Sequence, residues 1–201
     1  MSIHAVRPRT DRKPHIVVIG GGYAGALAAN RLRKNPDVDI TVVNPRSAFV
    51  ERIRLHQLVV GSGSATLDLA GMLDPGVRLM IDTAVDVDAA GRNVRLGSGG
   101  VLSYDYLVYA VGSTGAVPEA VPGARQFAYP IGELEQAERL RNALGQLASN
   151  APICVVGGGL TGIEAAGELA EQRPGQHQRQ DSAVDGPLPG RATRRRRADP
   201  S

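Results

Sequence analysis

The sequence predicts an α/β fold in which two strand–turn–helix units are separated by an antiparallel β-meander, the second unit being incomplete. Three observations carry this expectation. The apolar run His15–Ile19 (HIVVI) stops at Gly20, Gly21 and Gly22 and gives way to the alanine- and leucine-rich stretch Tyr23–Leu32. The pattern returns at Ile153–Val156 (ICVV), Gly157–Gly159 and Leu160–Glu171. Between the two copies, from Met80 onward, short β-branched runs alternate with glycine-containing turns. Such runs read as strands, and Ala/Leu-rich stretches as helices.

In chain order, His15–Ile19 is a strand and Tyr23–Leu32 a helix that ends before Asn35–Pro36. Ile40–Val43 is the next strand and closes a βαβ unit of about 30 residues. Met80–Val87, Arg92–Leu96 and Val101–Ser103 read as the three strands of the meander, turned at Ala90–Gly91 and Gly97–Gly100. Tyr106–Ala110 (YLVYA) reads as a buried strand that joins the first two in one parallel sheet, and Gly112–Gly123 as a linker. Glu133–Leu147 places Leu134, Ala137, Leu140, Leu144 and Leu147 on one helical face. Ile153–Val156 is expected to begin a second, incomplete sheet.

Composition excludes several functions. The 201 residues can bury a full domain core and part of another. The one cysteine, Cys154, rules out a disulfide framework and a cysteine zinc cluster; set in an apolar run, it reads as a buried core thiol. His4, His15, His56 and His177 are too scattered for a metal site, and His56 reads as a packed or solvent-facing helix residue. Lysine occurs only at 13 and 34, so no lysine follows a phosphate-binding glycine loop. No Gly-x-Ser-x-Gly nucleophile turn is present either.

The net charge of +3 is unevenly spread. From Gln172 to Ser201 there are seven Arg and three Asp, which leaves the first 171 residues at −1. The basicity belongs to the tail and gives no support to a nucleic-acid-binding domain. In residues 172–201 only Val184 and Leu188 are sizeable aliphatics, so this segment is expected to be disordered. Residues 1–14 lack an apolar core and read as a flexible N-terminus rather than a signal peptide. No apolar run reaches the length of a membrane span. A cytoplasmic protein is expected, with peripheral membrane association open for a full-length relative.

The chemistry lies in the glycines. Gly20-x-Gly22-x-x-Gly25, with Tyr23 and Ala24 inside it, follows a strand and opens a helix. In that context the first glycine permits a tight turn, the second lets backbone approach a pyrophosphate, and the third lets helix pack on strand. The helix N-terminus adds free N–H groups and partial positive charge. The pattern expects an acid at the end of the second strand to hold ribose hydroxyls, but this chain has Asn44, a weaker acceptor. Arg46 is placed to face a phosphate or an adenine ring. Gly157-x-Gly159-x-x-Gly162 is a second copy. Two copies around a meander are far more specific than either alone.

VVIGGGYAGALAA, YDYLVYAVGS and CVVGGGLTGIEAAGELAE, in that order, resemble the N-terminal half of the FAD-dependent pyridine nucleotide oxidoreductases. Phe49–Gly63 (FVERIRLHQLVVGSG) and the last of those segments are most similar to type II NADH dehydrogenases and apoptosis-inducing-factor-like enzymes. The resemblance implies a Rossmann-like two-dinucleotide fold. It assigns FAD to the first glycine turn and NAD(P)H to the second. It also places Ala110 and Gly112 beside the flavin, backbone near Val85 against the adenine, and Glu164 where nicotinamide meets flavin. The implied domains are 15–130 for FAD, 131–171 for the start of the NAD(P) domain, and 172–201 for the basic tail. The disulfide-reductase branch does not fit, because no cysteine pair follows the second strand. Hydride would pass from NAD(P)H to FAD and on to a quinone or other acceptor. The abrupt change of composition after Glu171 leads us to expect a truncated or frameshifted product that is inactive in isolation, the alternative being a non-catalytic nucleotide-binding remnant.

Overall fold

The computed structural model describes residues 12–113, 121–148 and 150–172. The chain divides into two compact units, Met1–Gln146 and Leu147–Ser201. The expectations for residues 1–11 and for the tail beyond Gln172 lie outside the described residues, as does most of the linker Gly112–Gly123.

In the first unit the order is β1 (His15–Ile19), α1 (Tyr23–Arg33), β2 (Asp39–Asn44), β3 (Ala48–Val50), a 3-10 turn (Arg52–Arg54), α2 (Leu55–Val60), β4 (Thr66–Asp68) and α3 (Leu69–Met72). There follow β5 (Val77–Ile81), β6 (Ala84–Asp88), β7 (Asn93–Leu96), β8 (Val101–Ser103), β9 (Tyr106–Tyr109), α4 (Ala124–Phe127) and α5 (Leu134–Gln146). Four parallel strands form the main sheet in the order β5-β2-β1-β9. That is the 3-2-1-4 order of a Rossmann-like sheet.

The strand β1 is central because both of its faces are apolar. Ile16 and Val18 pack with Ala29 of α1, Ile40 and Val42, while Val17 and Ile19 pack with Val43, Val94 and Leu96 beneath the meander β6-β7-β8. This period-two division covers the sheet with a helix on one face and the meander on the other. Asp105 fastens the strand entrances: its Oδ2 accepts from the His15 N–H at 2.7 Å and from the Arg12 guanidinium at 2.9 Å.

Two expected elements of this unit differ. Met80–Val87 is not one meander strand. Val77–Ile81 joins the parallel sheet beside β2, and Ala84–Asp88 starts the meander. The break is enforced by Asp82, whose carboxylate accepts from Thr83 N–H, Ser98 N–H and the Ser98 hydroxyl. Tyr106–Tyr109 is a parallel strand, but it is not buried: Tyr106 and Tyr109 are 62% and 70% exposed, since the strand is the sheet's edge among the described residues. The antiparallel pair β3–β4 and the short helix α3 have no signal in the sequence pattern. His56 is buried in α2.

The helix α5 belongs to the first unit. Ala137, with Leu134, Leu140 and Leu144, packs on Leu55, Val59 and Ala65. The division between the compact units falls after Gln146.

In the second unit the sole regular element among the described residues is α6 (Leu160–Gln172). Ile153–Val156 forms no strand, against expectation, and Val156 is 92% exposed. A strand exists only through its ladder partners, and none of the described residues of this unit supplies one. Cys154 accordingly is exposed rather than a core thiol.

Candidate functional site

The first glycine turn is built by close approach of three segments. Gly20 has φ +103°, and a Cβ there would stand 2.4 Å from the Ala110 carbonyl oxygen, at the end of β9. Ala110 N–H in turn donates to the Ile19 carbonyl at 2.8 Å. A Cβ on Gly25 would stand 1.8 Å from the Gly20 carbonyl oxygen, so only glycine lets α1 sit this close to the turn. Gly22 is different. Its φ of −81° is open to any residue, and a Cβ there would meet nothing within 4 Å. Space is left over this backbone.

Gly22 caps α1 without any side-chain hydrogen bond, and the first turn holds no acid. The N–H groups of Tyr23, Ala24 and Gly25 have no intrahelical acceptor. They face the positive end of the helix dipole, where an anion is favoured. The Tyr23 ring stands edge-on to Phe49 with centroids 4.9 Å apart, fixing the helix start against β3.

Over this turn lies a cavity of about 350 Å³ at the carboxyl ends of the parallel strands. Gly20–Gly22 form its floor, Asn44 and Arg46 one side, Asp82–Ala84 another, and Val111 and Ser113 a third. This is the crevice where the strand order reverses between β1 and β9, the place where open α/β sheets hold ligands. Arg52 crosses the rim. Its Nε donates to the Gly132 carbonyl at 2.8 Å and its Nη1 to the Ser113 carbonyl at 2.6 Å.

Most of the expected site residues of this unit gather here. Gly20, Gly22, Asn44 and Arg46 line the cavity, with Tyr23, Ala24 and Gly25 continuing the floor into α1. Ala110 lies behind Gly20, and Gly112, at φ +74°, lies between the lining residues Val111 and Ser113. Val85 does not line the cavity: it is an exposed residue of β6, and Asp82, Thr83 and Ala84 form that wall. Asn44 holds protein rather than open space, accepting from Gly21 N–H at 2.9 Å and donating to the Arg46 carbonyl at 2.7 Å. Arg46 pairs with Glu135 of α5. Sequence reading misses Arg52, Asp82 and Glu135, whose partners are 61 to 80 residues away in the case of Arg52.

The second turn, Gly157–Gly162, lies in the other unit. Gly157 has φ +124°, and a Cβ on Gly162 would stand 1.9 Å from the Gly157 carbonyl oxygen. Gly157 and Gly159 are exposed, as is Glu164 on α6. Among the described residues no group of His, Cys, Asp and Glu could hold a metal ion. None of their helices is long and apolar enough to cross a membrane.

Residues 14–177 match the family model for the pyridine nucleotide-disulphide oxidoreductases. The chain belongs to that family. It is 35% identical over 169 residues to the NADH dehydrogenase-like protein Rv1812c of Mycobacterium tuberculosis, covering 77% of this chain and 42% of the relative. The type II NADH:quinone oxidoreductase of Staphylococcus haemolyticus is 28% identical, over 81% of this chain and 44% of its own length. The chain thus spans less than half the length of these curated relatives. Among solved structures, NDH2 of Plasmodium falciparum in complex with NADH shares the fold, with a TM-score of 0.67 at 23% identity over 82% of this chain and 38% of its own. The NAD-dependent persulfide reductase of A. fulgidus gives 0.61 at 28% identity, over 79% and 32%.

Proposed function

We propose that the turn Gly20–Gly25 binds the pyrophosphate of FAD, in an oxidoreductase that passes hydride from NAD(P)H to FAD and on to a quinone or another acceptor. The observation that supports this best is the open backbone at Gly22, beneath a cavity at the strand switch point and against an uncapped helix N-terminus. Those residues fit a diphosphate: N–H donors, no competing acid in the first turn, and room for backbone-to-phosphate contact. Arg46 and Arg52 are the cations of the lining.

Bound FAD would supply the hydride-accepting ring. The protein's part is to hold it. In this reading the main-chain N–H groups of the first helical turn neutralise the diphosphate, while the Ala110–Ser113 segment, secured through Arg52, walls the cavity where β9 ends. Where a second sheet is assembled around them, Gly157, Gly159 and Gly162 would meet the phosphates of NAD(P)H, and Glu164 would stand near the nicotinamide. The relatives' names agree in kind: one is a type II NADH:quinone oxidoreductase and another, from Synechocystis, a demethylphylloquinone reductase.

A second reading is nucleotide binding without catalysis by this chain. Among the described residues Ile153–Val156 forms no strand and none pairs with it, so no sheet is described there to orient a ligand on the second turn. Hydride transfer needs reacting atoms held about 3–3.5 Å apart. Purified chain is expected to take up FAD, seen as flavin absorbance retained through gel filtration. On mixing with NADH it should bleach far more slowly than an ordinary enzyme turnover of about 10 per second. Bleaching at that rate would establish the catalytic reading for this chain; no flavin retention even at high FAD would refute both.

A further inference from the structure

A nucleotide seated on Gly20–Gly22 brings its ribose to the end of the second strand, where an acid ordinarily accepts from the ribose hydroxyls. Asn44 stands there with its amide already engaged. Its Oδ1 accepts from Gly21 N–H at 2.9 Å and its Nδ2 donates to the Arg46 carbonyl at 2.7 Å. A carboxylate could make the first bond but not the second, because it has no proton to give. It would leave an anionic oxygen facing the Arg46 carbonyl. Asn44 is thus a clasp between the glycine turn and the loop after β2, and its oxygen, already shared with Gly21, is a weaker ribose acceptor than the carboxylate ordinarily found there.

Two other elements bring acids to the cavity. Asp82 follows β5, the strand beside β2, but its two oxygens take Ser98 Oγ, Ser98 N–H and Thr83 N–H. Those bonds hold its carboxyl below the usual carboxylate range, led by the Ser98 hydroxyl. Glu133 and Glu135 come from the start of α5. Glu135 is ion-paired to Arg46, two residues beyond Asn44, and its side chain is 56% exposed. An acid so placed is at the right loop, is oriented by a cation, and retains accessible surface.

We infer that Glu135, oriented by Arg46, is the carboxylate that reads the adenylate ribose at the first glycine turn, in place of a strand-end acid. This rests on the proposal that the turn binds a dinucleotide. The ligand class is an adenylate with a free 2′-hydroxyl. A 2′-phosphate would meet the charge of Glu135, while Arg46 is already neutralised. Removing the Glu135 charge would turn Arg46 into a phosphate partner.

The test is calorimetric titration of the whole chain with ADP, 2′-deoxy-ADP and adenosine 2′,5′-bisphosphate, on the native protein, Glu135→Gln and Glu133→Gln. Native protein should bind ADP about tenfold more tightly than 2′-deoxy-ADP, the scale of a hydrogen bond to a charged acceptor. It should bind the 2′,5′-bisphosphate more weakly than ADP. In Glu135→Gln the preference for ADP over 2′-deoxy-ADP should fall towards unity, and the 2′,5′-bisphosphate should gain about tenfold on ADP once the repulsion is gone. Glu133→Gln should keep the native ratios. Circular dichroism checks that each variant is folded, which the exposure of Glu135 favours. An unchanged ratio in Glu135→Gln with ADP still bound, or loss of the ratio in Glu133→Gln, overturns the assignment of Glu135 alone. Absence of any ADP binding to the native chain overturns the nucleotide-binding proposal and this inference together.

Discussion

The two glycine turns carry the same motif and reach the same local geometry, yet among the described residues only the first follows a strand of a sheet. Gly20 and Gly157 both have positive φ, +103° and +124°. The Cβ positions of Gly25 and Gly162 lie 1.8 and 1.9 Å from the carbonyl oxygens of Gly20 and Gly157. The strands before them diverge completely. Val17 and Val18 are fully buried between β2 and β9, whereas Val155 and Val156 are 39% and 92% exposed. The turn and helix start are thus written locally, in six residues. A strand is not: its ladder bonds come from segments that must be present beside it. A binding crevice needs the neighbouring strand ends as well as the turn.

The largest effect expected from this comparison is a paired substitution. Gly25→Ala forces a methyl into the Gly20 carbonyl inside a packed sheet, and should cost about 4 kcal/mol or more in chemical denaturation, or prevent folding. Gly162→Ala meets the same local clash where no sheet depends on it. It should leave the main unfolding transition unchanged within about 0.5 kcal/mol. Equal losses would show that the second turn is packed as firmly as the first.

Next in size is Leu69→Ala. Leu69 is fully buried with Phe49 and Ala26, and its Cδ2 lies 2.4 Å from where a Cβ on Gly21 would be. The cavity left should cost about 2–5 kcal/mol, read from the denaturant midpoint, and ADP affinity should fall with it as the turn loses support.

A smaller effect concerns pH. The His15 backbone N–H, and after it the charge of Arg12, hold the Asp105 carboxyl below its ordinary value. A carboxyl depressed on folding contributes stability that is fully present above its unfolded pKa and is lost as pH falls through the folded one. Stability from Asp105 should therefore hold from neutrality to about pH 4 and decline below it. Asp105→Asn should flatten that acid limb of the thermal midpoint while costing about 1 kcal/mol at neutral pH. A limb that keeps its full steepness in the variant would assign the acid sensitivity to other groups.

These contrasts also show which parts of the molecule the sequence can reveal. The strand His15–Ile19, its turn, its helix and the next strand are legible because the apolar run, the glycine spacing and the helix formers lie within 30 consecutive residues. The cavity floor is legible for the same reason. The split at Asp82 is not, because it depends on Ser98, 16 residues away, and Val77–Val87 otherwise alternates as one strand would. Arg52 and Glu135 are invisible as site residues for a related cause. Each is an ordinary surface charge until the fold brings Ser113 and Gly132, or Arg46, against it. Asn44 reads in sequence as a weak ribose acceptor, and what the sequence does not show is that its oxygen is shared with the Gly21 N–H beside it. The strand expected at Ile153–Val156 marks the opposite error, in which a local pattern implies a ladder partner that none of the described residues supplies.

The measurement that tests the account most directly is a parallel titration of Gly22→Val and Gly159→Val with ADP. A Cβ at either position would meet no other atom within 4 Å, so both variants should unfold like the native chain. If the assembled nucleotide site is the first turn alone, Gly22→Val should lose ADP binding by at least about a hundredfold, since the side chain fills the space kept for the diphosphate. Gly159→Val should bind ADP as the native chain does. Undiminished binding to Gly22→Val, or an equal loss in both variants, would contradict the claim that the sheet around Gly20–Gly25 is what turns a glycine motif into a site.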